Sequence, residues 1–137
     1  MKVVGAKQHA DRMKRLSGSA MQREARKLVY TLADMHATEA ALSITRGAVS
    51  GKNHVASNPG EPPNADTHFL DRSIEATLTG PVSAESSANA PYAAALEFGT
   101  SRMAERPFMR PAAKTVRKDV DQLAREAVRR VTQGVVL

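Results

Sequence analysis

At 137 residues the chain has the length of one domain, with room for one core and not two. Its hydrophobic share of 42% leans on Ala and Val, so with no Trp, three Phe and two Tyr the core is expected to be thin and helix-rich, and further burial by self-association is expected with it. Twenty Lys and Arg against 14 Asp and Glu leave a net charge of +6, and the lack of Cys excludes disulfides and thiolate metal sites and fits synthesis in a reducing cytoplasm. The elements follow in chain order. Met13, Leu16 and Ala20 keep the spacing of one helical face, interrupted by Ser17-Gly18-Ser19, where Ser19 and Gln22 have the form of a capping box. Leu28, Leu32, Met35 and Leu42 then share a face, with Ala25 and Val29 beside it. This predicts a long helix, kinked near Gly18 or preceded by a separate helix over 1–18, and ending by about Thr45.

Residues 47–68 are dense in turn formers, with Pro59, Pro62 and Pro63 barring helix or central strand. So long a loop in so small a domain is either a docking arm that orders on a partner or a floppy connection. From Phe69 to Thr79, Leu70, Ile74, Ala76 and Leu78 occupy alternate positions and predict a strand. Gly80-Pro81 turns the chain into a weaker antiparallel strand over Val82–Ser87. Pro91 opens a short helix through Leu96, with Gly99 placed as its stop at positive φ. Val116, Val120, Leu123, Ala127 and Val131 draw one stripe on a closing helix that has Pro111 at its first position and Gln133-Gly134 at its end. The predicted fold is α+β: a long N-terminal helix and a C-terminal amphipathic helix on a small antiparallel sheet, with residues 1–137 forming a single domain. Within it, 47–68 is the proline-rich arm and 69–133 hold the sheet, the short helix and the closing helix.

No enzyme is expected. His9, His36, His54 and His68 lie on separate elements without zinc spacing, and the pair Asp66 and His68 on a loop is a weak metal signal. Neither a P-loop nor a dinucleotide glycine pattern occurs, so no cofactor or small-molecule substrate is expected. Glu97 and Glu105 flank a glycine turn without a base or nucleophile beside them, and Glu97 is expected to pair with Arg102 or Arg106, within the chain or across a subunit boundary. No apolar run approaches the roughly 18 residues of a membrane span, and no signal-like segment follows Met1, so no membrane partner is expected. The positive charge concentrates in Lys2, Lys7, Arg12, Lys14, Arg15, Arg23, Arg26 and Lys27, opposed there only by Asp11 and Glu24, and again from Arg110 to Arg130. Arg23, Arg26 and Lys27 either contact DNA or an acidic partner, or solvate an outer helix face. A basic nucleic-acid-binding accessory protein is therefore the alternative function.

Two segments carry a resemblance. Ser57-Asn58-Pro59-Gly60-Glu61-Pro62-Pro63 with Asp66-Thr67, Leu70 and Ser73-Ile74 follows the pattern S-x-P-G-x-P-P-x-x-D-T-G-x-L-x-x-S-I. Tyr92 to Ser101 and Arg106-Pro107-Phe108-Met109-Arg110-Pro111-Ala112 look like the second signature of the same family. Together they resemble the small head–tail joining proteins, the neck or tail-completion components, of lambdoid, HK-type long-tailed phages. One departure is His68, where the family has Gly; if that position needs positive φ, His meets it less readily. The resemblance implies a virion structural protein made in the bacterial cytoplasm, a homo-oligomeric ring with six copies as the expected number. Its partners would be other neck and tail proteins, with DNA translocating through the lumen. Tail terminator, head-closure stopper and tail-completion factor all stay open as its role. On this reading Pro59, Pro62, Pro63, Tyr92, Glu97, Phe98, Thr100, Arg102 and Arg106 are expected at the subunit interface, with the monomer's own core the open alternative for Tyr92 and Phe98. Gly99, Pro107, Phe108 and Pro111 are the structural signature, with Phe108 expected in the core.

Overall fold

The structure is a computed structural model that describes residues 4–134. Helices α1 (Ala6–Ser17) and α2 (Ser19–Thr45) come first; α3 (Phe69–Arg72) is a single turn leading into strands β1 (Ile74–Gly80) and β2 (Ser83–Ala88). Helices α4 (Ala93–Phe98) and α5 (Met109–Gln133) complete an α+β fold. The strands form one antiparallel hairpin with Ile74 opposite Ala88 and Thr77 opposite Glu85, and an irregularity between Leu78 and Gly80 where the turn begins.

Near Gly18 the expected kink is a full break between two helices. Extended backbone at Gly18 ends one helix and starts the next, and its carbonyl already accepts the Gln22 N–H. Ser19 is therefore helical and forms no capping box; its hydroxyl instead takes a hydrogen bond from Arg23 at 3.4 Å. None of α1 is buried, and it is tied down by Arg15, whose guanidinium donates to the Thr132 carbonyl of α5 at 3.1 Å.

The buried line of α2 is Ala33, Ala37, Ala40 and Ile44, not the larger residues one step around the helix. Leu28, Leu32 and Met35 are half-buried, and Leu42 is exposed. The reason is that α2 is packed along two flanks. Ala37 and Ala41 border Ile74 and Ala76 of the hairpin, while Met35 and Glu39 border Thr115 and Val116 of α5. Small residues let both neighbours approach closely, and the large ones fill the margins. The core joins Ala40 and Ile44 to Ala65, Leu70, Ala90, Ala93, Phe108 and Ala112. On α5 the expected stripe holds: Val116, Ala127 and Val131 are buried and Val120 and Leu123 half-buried.

Strand structure does not begin at Phe69 as expected. His68 has φ 60°, which reverses the chain, and Ser73 closes one helical turn by donating to the carbonyls of Phe69 and Leu70. His68 Nδ1 stands 3.2 Å from the Asp71 carboxylate and holds the turn. Pro111 is the third residue of α5 rather than the first, still within the turn where a missing N–H costs no hydrogen bond. The short helix runs two residues past Leu96, to Phe98.

Candidate functional site

The Tyr92 to Ala112 segment is organised by one carboxylate. Glu97, on α4, is buried, with 5% of its surface exposed. One carboxylate oxygen accepts the backbone N–H groups of Phe108 and Met109 at 2.8 and 3.0 Å, and the other accepts that of Arg110 at 3.0 Å. Arg110 Nε donates to the same oxygen at 3.0 Å, and its Nη2 reaches both the Glu97 carbonyl and Glu105. Glu97 therefore caps α5 from another helix, placing a negative charge where the helix dipole and the free N–H groups favour it. Burial alone raises its pKa, but the three backbone donors and Arg110 outweigh that, leaving it below the ordinary carboxylate range. Its partner is neither Arg102 nor Arg106, as expected from spacing; the chain turns so that α5, eleven to thirteen residues on, is nearer.

That turn depends on Gly99, which has φ 74° and ψ 177°, a region essentially restricted to glycine. A Cβ there would lie 2.9 Å from both the Glu105 nitrogen and the Met103 oxygen. Thr100 and Met103 pair across the tight loop, and the Thr100 hydroxyl takes the Arg102 N–H at 3.3 Å. Thr100 and Arg102 are exposed, while Arg106 and Pro107 are half-buried, with Arg106 N–H bonded to the Leu96 carbonyl. Phe108 is fully buried and belongs to the core. Pro111 is half-buried beside it.

The proline-rich segment lies on the body rather than standing off it as an arm. Gly60 N–H donates to the Glu105 carbonyl and Ala65 N–H to the Ile44 carbonyl, both at 2.9 Å. Asp66 accepts from Gly51 N–H at 3.1 Å, in a short 3-10 turn over Gly51–Asn53. Pro59 is exposed, Pro62 half-buried, and Pro63 buried inside the chain itself. The bond from Gly60 to Glu105 joins the proline-rich segment directly to the Tyr92 to Ala112 segment.

Four of the chain's five aromatic residues, Tyr30, Phe69, Tyr92 and Phe98, remain exposed. Phe98 is the extreme at 70%, with its ring 5.5 Å from the Arg110 guanidinium carbon. Phe69 and Tyr92 form a tilted pair with centroids 6.2 Å apart. Sequence reasoning missed Phe69, because a strand reading treats it as an off-face residue; its signal is position, directly after the proline segment.

Arg23, Arg26 and Lys27 do come together, bordering a shallow groove with Tyr30 and Leu78. Beneath them lies Glu24, buried and ion-paired with Lys27 at 3.3 Å and Arg130 at 3.1 Å. Burial pushes its carboxyl up, yet the bonds and charges of Arg130 and Lys27 prevail and hold it below its ordinary value. An acid set between Arg23 and Arg26-Lys27 was the available clue. Among the described residues no group of three or more His, Asp or Glu is placed to hold a metal ion, and no helix is long and apolar enough to cross a membrane. Comparison with protein-family models, curated proteins and solved structures finds no match for the chain.

Proposed function

We propose that this protein is a non-enzymatic structural component of the neck of a long-tailed phage, one that self-assembles into a ring joining the head connector to the tail tube and leaving a passage for DNA. The observation that carries the reading is the placement of the rings. A chain with five aromatic residues leaves four at the surface, and three of those, Phe69, Tyr92 and Phe98, sit on the two segments that resemble the head–tail joining family. Exposed aromatics on a rigid frame are the usual anchors of a protein interface. The frame is rigid here because Glu97 and Gly99 lock the segment to α5. A heterologous contact between such a patch and another face of a second copy closes a ring by rotation.

Particles assembled without this protein test the reading: unjoined heads and tails are the expected product, and normal infectious particles would contradict it. A second reading, nucleic-acid binding through Arg23, Arg26 and Lys27, draws on their shared groove. It expects submicromolar DNA affinity near physiological salt that falls steeply as salt rises. The apolar floor of Tyr30 and Leu78 fits a protein segment bearing carboxylates better than a phosphate backbone, which favours the first reading.

A further inference from the structure

Helix α2 carries two hollows of opposite charge on its two flanks. Toward the hairpin, Arg23, Arg26, Lys27, Tyr30 and Leu78 border the shallow groove, of about 350 Å³. Toward α5, Asp34, Met35, Thr38 and Glu39 meet Thr115, Val116 and Asp119 around another, of about 360 Å³. Both have apolar side chains among the charges, Tyr30 and Leu78 in the first and Met35 and Val116 in the second.

The fold does not satisfy these charges itself. Lys27 stays with Glu24, but Arg23 reaches only the Ser19 hydroxyl, and Arg26 has no carboxylate partner among the described residues. Most of the chain's carboxylates are held internally, in ion pairs such as Glu97 with Arg110 or hydrogen bonds such as Asp66 with Gly51. Asp34 and Asp119 have no such partner among the described residues, and Glu39 has only Arg46 at 3.9 Å. Arg23, Arg26, Asp34 and Asp119 are all exposed, and Tyr30 stands 43% exposed beside the two arginines. Exposed ion pairs add little affinity, so in a contact between such surfaces the buried apolar groups hold and the charges choose partner and register.

We propose that the basic groove of one copy docks on the acidic hollow of a second, with Tyr30 seated over Met35 and Val116, and Arg23 and Arg26 facing Asp34 and Asp119. A second copy is the occupant because one chain carries both halves of the match: two open cations with an exposed ring, and two open carboxylates around an apolar floor. The hollows lie on different flanks of α2, so each copy engages two neighbours through different faces, the heterologous arrangement that a ring requires. The inference rests on the self-assembly of the ring reading and names the surfaces that would carry it.

The test is self-association of the full chain, measured by sedimentation in charge-reversal variants whose folding is checked by thermal melting. Arg23→Glu with Arg26→Glu should weaken association at least about tenfold, as should Asp34→Lys with Asp119→Lys, because like charges then face each other. All four substitutions in one chain exchange the signs and should restore association, as should an equimolar mixture of the two double variants. Rising salt should loosen the wild-type oligomer, a readout that needs no variant. Association indifferent to salt and to both double variants, or lost in them without rescue, overturns this contact and leaves the ring reading standing. Loss of DNA affinity alone in the Arg23, Arg26 variant would overturn it in favour of nucleic acid. A wild type that stays monomeric at every concentration overturns the contact and the self-assembly together. Charge-dependent association with rescue, in a protein whose absence leaves particles normal, would support the contact and contradict the neck reading.

Discussion

At the scale of single residues, the molecule rests on positions whose constraints come from outside their own element. Gly99 is the clearest. Its backbone lies where a side chain is strained, and a Cβ would meet two backbone atoms at 2.9 Å, which cannot move independently. Gly99→Ala should lower stability by at least about 2 kcal/mol, read as a shifted urea midpoint. Glu97→Ala removes the acceptor of three backbone N–H groups and one guanidinium bond, with an expected loss of about 3–5 kcal/mol, while Glu97→Gln keeps part of the set and should lose less. The glycine's positive φ was legible because a helix stop demands it. The role of Glu97 was not, since spacing along the chain favours Arg102 and Arg106, and only the fold brings Arg110 and the start of α5 to it. His68 shows the reverse: it stands where the resembled pattern has Gly, and it does take φ 60°, with the ring's contact to Asp71 offsetting the strain.

At the scale of elements, two buried carboxylates tie helices together. Glu97 holds α4 to the start of α5, and Glu24 holds α2 to its end through Arg130. Both have folded pKa values below the ordinary 4.5. A lowered pKa means the stabilisation is fully present above that value and is lost as pH falls through the folded one. Urea midpoints measured from pH about 7 down to about 3 should therefore stay level and then drop below the ordinary carboxylate range. The acid limb should flatten in the double variant Glu24→Gln, Glu97→Gln. An unchanged acid limb in that variant would separate the pH response from these two groups. The long helices and the hairpin were legible because their apolar spacing is periodic. The exact buried face of α2 was not, because Ala33, Ala37 and Ala40 carry little hydrophobic signal yet decide how closely α5 and the hairpin approach. The turn of α3 was hidden for a different reason: its alternation suits a strand, and a single reversal at His68 overrides it.

At the scale of the whole molecule, the core is small and built largely from alanine, while the rings that could have enlarged it stand outside. That division makes sense if burial is completed by other copies. Folding would then be separable from assembly, because Phe98 and Tyr92 contribute little to the monomer. Phe98→Ser and Tyr92→Ser should each change monomer stability by no more than about 1 kcal/mol, the scale of an exposed cation–π or ring contact. At an interface the same truncations each cost about 2 kcal/mol or more, multiplied by every contact in a ring. Sedimentation equilibrium of the wild-type chain beside Phe98→Ser measures this difference most directly. A concentration-dependent closed oligomer in the wild type, shifted toward monomer in a variant that melts at nearly the same temperature, is the predicted result. An oligomer indifferent to Phe98, or a wild type that stays monomeric at every concentration and in the presence of purified tails, would contradict it.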